Sequence, residues 1–360
     1  MDSIKNKKIF IKTYGCQANI NDSEILAAEY VKDRYKIVNS EKDADIILIN
    51  SCSVKNKTQS KIINYIGKYY NDINKNILIT GCLIKTINLK KQFPRIKIIN
   101  SLNLKRIKQS LIRKDKNVAI IQISQGCISN CSFCATKTAR GKLKSFSIND
   151  IKYEFERAVS EGCSKIYLTS QDNGCYGFDI NIDIVKLLNE LIKIDGKYKI
   201  RIGMMNPQHI TSFIDKLIEV YKSPKIIKFI HIPVQSGSDR ILKEMKRGHK
   251  VNDFVNIVKK FRKNFPRSKF SDSTIATDII IGYPGETEDD FNKTLELIKK
   301  IKPEVLNISA FSSRPKTPAS NLKQLPSEII KNRTRKINEL YLSYRKDLSS
   351  CQNRLIRTKC

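Results

Sequence analysis

The sequence has only three histidines, His209, His231 and His249, and none lies beside its clustered cysteines. That scarcity argues against zinc, which in a structural site asks for four ligands and commonly mixes histidine with cysteine. No apolar run approaches the roughly 18 residues of a membrane span, and no hydrophobic stretch follows Met1 as a secretory signal would. Cys360 is the last residue and so does not fit the prenylation pattern, which places its cysteine fourth from the end. A soluble, cytoplasmic protein is expected, in a reducing compartment, since six of the ten cysteines sit in loop contexts suited to metal ligation and not to disulfides. Acidic residues are the remaining shortage: 35 Asp and Glu stand against 67 Lys and Arg, a net charge of +32. An AT-rich genome would explain abundant Lys, Asn and Ile but not few acids, whose codons are AT-rich as well. The imbalance points to a polyanionic partner, most simply nucleic acid held by salt-sensitive phosphate contacts.

What is present centres on Ile123–Ser147, where Cys127, Cys131 and Cys134 fall within eight positions. Thiolates ligate iron–sulfur clusters, and a four-iron cube held by three cysteines keeps one iron open to a ligand that is not protein. The Gly, Ser and Asn between these cysteines describe a loop, which disfavours a chance cluster of core thiols.

Residues 1–112 read as strand–helix units. The apolar runs Lys8–Thr13, Asp45–Asn50 and Asn76–Thr80 each end close to a cysteine: Cys16, Cys52 and Cys82. Helical patterns at Ser23–Lys32 and Thr58–Tyr70 lie between them, so the strands should be parallel and joined by crossovers. Open parallel sheets collect ligands at their carboxyl ends, so these distant cysteines are expected to converge as a second three-cysteine site. Leu111–Asn117 reads as a linker, and Cys163, Cys175, Cys351 and Cys360 as incidental thiols.

Over residues 113–348 the alternation resumes. Strands are expected at Val118–Ser124, Lys165–Ser170, Tyr198–Gly203, Phe229–Pro233, Ala276–Ile281 and Val305–Ala310. Helices between them include Ile148–Glu161, Asp183–Ile194, Ile210–Tyr221, Asn252–Phe265 and Glu288–Ile301. Six repeats are too few to close an eight-stranded barrel, so the fold class is α/β: an open parallel-sheet domain followed by a partial (β/α)6 barrel with its functional groups at the carboxyl-terminal face. Pro326–Leu348 reads as an amphipathic closing helix, and 349–360 as a basic tail. In the loops at that face, Gln235, Ser236 and Ser238 are suited to hydrogen-bond a nucleoside-like cofactor. Arg247 could reach a phosphate or carboxylate, and Arg314 could face cofactor or substrate. The turn Gly282-Tyr283-Pro284-Gly285 ahead of a Thr287-x-x-Asp290 capping box reads as architecture.

C-x3-C-x2-C with Phe133 before its last cysteine resembles the signature of the radical S-adenosylmethionine (SAM) enzymes. Together with Thr-Tyr-Gly-Cys-Gln, His-x-Pro-Val-Gln-Ser-Gly-Ser, Thr-Asp-x-Ile-x-Gly-x-Pro-Gly-Glu-Thr and Ser-x-Arg-Pro-x-Thr-Pro-Ala, it resembles the methylthiotransferases over roughly residues 8–348. Cys134-Ala-Thr-Lys-Thr-Ala-Arg-Gly141 and Ser170-Gln-Asp-Asn-Gly-Cys-Tyr-Gly177 are most similar to the MtaB-type branch of archaea and eukaryotes. The resemblance implies two 4Fe-4S clusters: one on Cys127, Cys131 and Cys134 that binds SAM, and an auxiliary one on Cys16, Cys52 and Cys82. It implies Phe133 beside the SAM adenine, Gln171 and Asp172 near the SAM amino group, and Arg140, Arg247 and Arg314 toward substrate. No catalytic residue is expected beyond the clusters.

The implied reaction is conversion of N6-threonylcarbamoyladenosine, beside the tRNA anticodon, to its 2-methylthio derivative. The implied partners are the tRNA anticodon stem-loop, an electron donor and a sulfur donor, with the enzyme monomeric and off the membrane. Alternatives are isopentenyl-adenosine tRNA, a ribosomal-protein aspartate, or an RNA-binding protein without turnover. The family usually ends in a small β-barrel RNA-binding domain, TRAM, which is expected to be missing here, with only Ser349–Cys360 after the closing helix. A basic end, with 10 basic and 3 acidic residues from Ala319 onward, is expected to substitute in part.

Overall fold

The computed structural model describes residues 7–53, 56–100, 104, 106–266 and 273–345. The basic tail, with Cys351 and Cys360, lies outside the described residues.

The N-terminal sheet contains β1 (Lys8–Thr13), β2 (Lys36–Ile37), β3 (Ile46–Ser51), β4 (Asn76–Gly81) and β5 (Lys97–Ile98), in the order β2-β1-β3-β4-β5. Every pairing is parallel. Central β3 is buried at all six residues, as a parallel strand covered on both faces must be. One face packs Ile47, Ile49, Ile77 and Ile79 against Ile62 and Ile66 of helix α2 (Asn56–Tyr70). The other packs Ile9, Ile46 and Leu48 against Leu26 of helix α1 (Gln17–Lys32). A short helix, α3 (Leu83–Thr86), follows β4. Five strands stand where three apolar runs were expected, because β2 and β5 are two-residue edge strands too short to leave a periodic signal.

Helix α1 starts at Gln17, earlier than its apolar pattern, through Asn19, Asn21 and Asp22. These polar residues are buried because their partners come from distant segments. Asn21 Nδ2 donates to Ile120 O at 2.9 Å, and Gln122 Nε2 donates to Asp22 Oδ1 at 2.9 Å.

The second part of the chain has β6 (Val118–Gln122), β9 (Lys165–Thr169) and β10 (Lys199–Ile202) in one parallel sheet, and β11 (Phe229–His231), β12 (Thr274–Ile281) and β13 (Val305–Ala310) in another. Just beyond β10, Met205 N donates at 2.9 Å to the carbonyl of His231, the last residue of β11, continuing the curve between the two sheets. These are the six expected strands of a partial barrel. An antiparallel hairpin of β7 (Ser124–Gln125) and β8 (Lys144–Ser145) closes the cysteine loop, and helix α4 (Thr136–Arg140) lies within it.

Around the strands run α5 (Ile148–Ser160), α6 (Ile184–Leu191), α7 (Pro207–Ile210), α8 (Ile214–Lys222), α9 (Asp239–Glu244), α10 (Val251–Asn264) and α11 (Glu288–Ile301). The closing helix is α12 (Ser327–Arg345), which buries Ile337 and Tyr344 in the barrel core. Among the described residues, no helix is long and apolar enough to cross a membrane.

The linker expected at Leu111–Asn117 is packed in place. Ile112 N donates to Glu24 O at 3.1 Å, Lys114 N to Glu24 Oε1 at 3.0 Å, and Arg113 pairs with Glu161 at 2.5 Å.

Candidate metal centres

Strands β1, β3 and β4 are adjacent and parallel, so the residues after them share one rim. Cys16, Cys52 and Cys82 occupy that rim, with Cys16 exposed and the other two buried. Gly15 has φ +112°, and a Cβ there would stand 2.9 Å from Cys52 Cβ and 3.1 Å from its sulfur. Asn19 ties the rim together: its amide donates to Tyr14 O and Ser51 O, each at 2.9 Å, and its Oδ1 lies 3.8 Å from Cys16 Sγ.

The second group sits on the loop between β7 and β8. Gln171 Oε1 accepts from Gly126 N at 2.6 Å, fixing the start of the loop. Ser132 pins its middle: its N donates to Met245 O at 3.0 Å, and its hydroxyl lies 2.8 Å from Tyr283 Oη. Phe133 packs against the cluster of Ile241, Met245, Tyr283 and Ala319.

Each sulfur of this loop accepts one N–H. Ser129 N reaches Cys127 Sγ, Arg247 Nη1 reaches Cys131 Sγ, and Thr136 N reaches Cys134 Sγ, all at 3.4 Å. On the other rim Arg140 Nε reaches Cys82 Sγ at 3.3 Å. Donors aimed at sulfur stabilise thiolate and cluster sulfur alike, and none of the eight described cysteines is held in a disulfide. The two thiol sets therefore fit iron–sulfur clusters, with no imidazole or carboxylate needed in either set of three.

Environment separates the thiols. Burial pushes Cys134 up, and pushes Cys82 up against the opposing charge of Arg140. Cys127 is held down, first by the neighbouring Cys175 thiol and also by Ser129, while Cys175 moves up. Cys175, expected to be incidental, thus lies against Cys127 of the candidate cluster loop; Cys127, Asp172 and Cys175 bring ligand atoms within 4.8 Å of one another. Neither Cys175 nor His209, which pairs with Asp172, carries a sequence signal, since these contacts depend on how the loop after β9 folds back.

The remaining expected residues have these places. Asp172 is buried, accepting from Gly174 N at 2.9 Å and Asn206 N at 3.0 Å and pairing with His209 Nδ1 at 2.9 Å. Gln235 has a left-handed backbone, φ 75°. Ser236 and Ser238 are buried in architecture: Ser238 Oγ donates to Asp290 at 2.6 Å, and Gly237 N between them donates to Thr294. Arg247 Nη2 donates to Asn206 Oδ1 and Pro233 O, each at 2.8 Å. Arg314 Nη1 reaches across to Asn56 Oδ1 at 2.6 Å, while its Nη2 is buried without a partner among the described residues.

Arg140, expected to face substrate, is committed elsewhere. Its guanidinium also donates to Asp22 Oδ2 at 2.7 Å and Asn19 Oδ1 at 2.6 Å, within the junction between the two sheets. Burial works against this charge, but Asp22 and the cysteine thiols outweigh it and keep the group protonated. Asp22, fully buried, holds a second guanidinium, Arg106, at 3.0 Å. The pattern Cys16-x-x-Asn19-x-x-Asp22 was a signal in principle: polar residues one helical turn apart, immediately after a rim cysteine.

Residues 121–298 match the Radical SAM superfamily, and residues 8–101 match the Uncharacterized protein family UPF0004. A probable threonylcarbamoyladenosine tRNA methylthiotransferase of Pyrococcus horikoshii is 39% identical over 93% of this chain and 84% of its own length. One of Archaeoglobus fulgidus is 40% identical over 92% and 83%. The threonylcarbamoyladenosine tRNA methylthiotransferase of Homo sapiens is 34% identical over 94% of this chain and 63% of its own length. Among solved structures, the radical S-adenosylmethionine methyltransferase TsrM of Kitasatospora setae, with cobalamin and a [4Fe-4S] cluster bound, superposes with a TM-score of 0.59. At 10% identity, over 88% of this chain and 77% of that one, this likeness concerns the fold.

Proposed function

The chain belongs to the threonylcarbamoyladenosine tRNA methylthiotransferase family of radical SAM proteins, and on that footing we propose that it converts N6-threonylcarbamoyladenosine beside the tRNA anticodon to the 2-methylthio derivative. The observation that carries this reading is that Arg140, six residues beyond Cys134 on the loop of one three-thiol set, hydrogen-bonds Cys82 of the other. Carbon 2 of the adenine bears no acidic proton, so a general base cannot open it. When bound, SAM and its cluster supply the radical chemistry the reaction needs, and the auxiliary cluster supplies sulfur.

The chain's own residues hold and orient. Cys127, Cys131 and Cys134 hold the SAM-binding cluster, and Cys16, Cys52 and Cys82 the auxiliary one. Gln171 fixes the loop through Gly126 N, and Asp172, braced by His209 and two backbone amides, keeps its carboxylate in place beside Cys127. Phe133 stands as the aromatic wall of the SAM site. Arg314, whose buried Nη2 has no partner among the described residues and which feels the charge of Cys52, is assigned to an anionic substituent of the target base. The positive surface holds tRNA, with the target base flipped toward the junction. We place the protein in the cytoplasm as a monomer supplied by an electron donor and a sulfur donor.

Cys16→Ala tests the division of labour. It is expected to preserve SAM cleavage and abolish sulfur insertion; methylthiolated tRNA from this variant would contradict the two-cluster assignment.

A further inference from the structure

We infer that Arg140 is a positioning residue that sets the redox balance of the auxiliary cluster from within the SAM-cluster loop. The inference rests on the reading of Cys16, Cys52 and Cys82 as cluster ligands. Arg140 closes α4, a five-residue helix on the order of 8 Å long that starts two residues after Cys134. From there the side chain enters the junction, with its Nε on Cys82 Sγ and its two other nitrogens on Asp22 and Asn19. Fixed at three points and 3% exposed, it cannot turn to solvent.

Asn19 is also the residue whose amide ties the backbone ahead of Cys16 to the strand end ahead of Cys52. One guanidinium therefore braces the rim that carries all three thiols and delivers a buried positive charge to it. Hydrogen bonds to sulfur and local net charge are among the factors that set cluster potentials. Reduction adds negative charge, so Arg140 favours the reduced auxiliary cluster and raises its potential. Because that charge is anchored on the loop of the other cluster, movement of the SAM-cluster loop also changes the electrostatics of the auxiliary site.

The test uses the full chain carrying Cys127→Ala, Cys131→Ala and Cys134→Ala, reconstituted anaerobically so that only the auxiliary site can load. Iron content is measured first, then the midpoint potential by redox titration with electron paramagnetic resonance detection. Arg140→Gln is expected to keep one cluster's worth of iron and move the potential in the negative direction. The expected size is on the order of a tenfold change in the reduction equilibrium, about 59 mV for one electron. Arg140→Lys, which keeps charge but loses the Nε donor, is expected to fall between. Equal iron and an unchanged potential in Arg140→Gln would overturn the inference. If Arg140→Gln loses its iron, Arg140→Lys decides: a negative shift supports the inference and an unchanged potential overturns it. Absence of iron from the triple-cysteine background itself would refute the two-cluster reading, and the inference with it.

Discussion

Asp22 shows how much can rest on one side chain. It is fully buried, paired with Arg140 and Arg106, and accepts from Gln122 of β6. Removing one partner of a buried ion pair leaves the other charge uncompensated, at a cost of roughly 3–5 kcal/mol. Asp22→Ala is thus expected to lower the free energy of unfolding, read from denaturant titration, by an amount in that range; a change under about 1 kcal/mol would contradict the central place given to this carboxylate.

Glu24, two residues along the same helix, behaves differently. Burial raises its pKa to about 7, against the lowering effect of the Lys114 amide and Arg113. A carboxyl whose folded pKa lies above its unfolded value binds more protons in the folded state. Its stabilising contribution is complete below about pH 4.5 and is lost as pH rises through about 7, by something near 3 kcal/mol. Glu24→Gln is expected to flatten the stability profile between pH 5 and about 8. An unchanged slope would exclude Glu24 as its source. Glu24 was not legible in the sequence, because its burial depends on partners far along the chain, and Asp22 carried only the spacing from Cys16 and Asn19 as a signal.

At the scale of the element, legibility followed periodicity. The six barrel strands and the three long strands of the first sheet carry continuous apolar runs, and their positions were readable to within a few residues. Helix α1 was readable only in its apolar half, since its first turns bury amides and a carboxylate against β6 in place of aliphatic groups. Burial of Ser236 and Ser238 in contact with helix α11 was likewise invisible, as were the hydrogen bonds that tie this loop to Asp290 and Thr294.

The cysteine loop is held by close approach as well as by hydrogen bonds. Gly126 has φ +81°, and a Cβ there would fall 2.0 Å from Lys142 O. Only glycine tolerates both the backbone angle and the contact. Gly126→Ala is expected to lower iron loading of the SAM-binding site while the auxiliary site loads normally. Full loading and SAM cleavage in this variant would show that the loop adapts.

For the molecule as a whole, charge and topology act together. The surplus of basic residues is spread over both parts: up to Ile112 there are 21 basic and 9 acidic residues, and exposed Lys331, Arg335 and Lys336 continue it on α12. Phosphate contacts of this kind release counterions, so tRNA affinity is expected to drop at least about tenfold between 50 and 200 mM salt. A flat salt response would argue for binding dominated by base contacts. The sheet order β2-β1-β3-β4-β5 brings together cysteines 36 and 30 positions apart, a convergence readable from the strand ends. The junction that joins this rim to the other cysteine loop was not readable, because it is made of single polar contacts between segments about a hundred residues apart.

The most direct measurement is anaerobic reconstitution with iron and sulfide, incubation with SAM, a reductant and threonylcarbamoylated tRNA, and mass spectrometry of the released nucleosides. The account predicts the 2-methylthio derivative of N6-threonylcarbamoyladenosine together with cleaved SAM. Fully loaded protein that leaves both SAM and tRNA unchanged would contradict it.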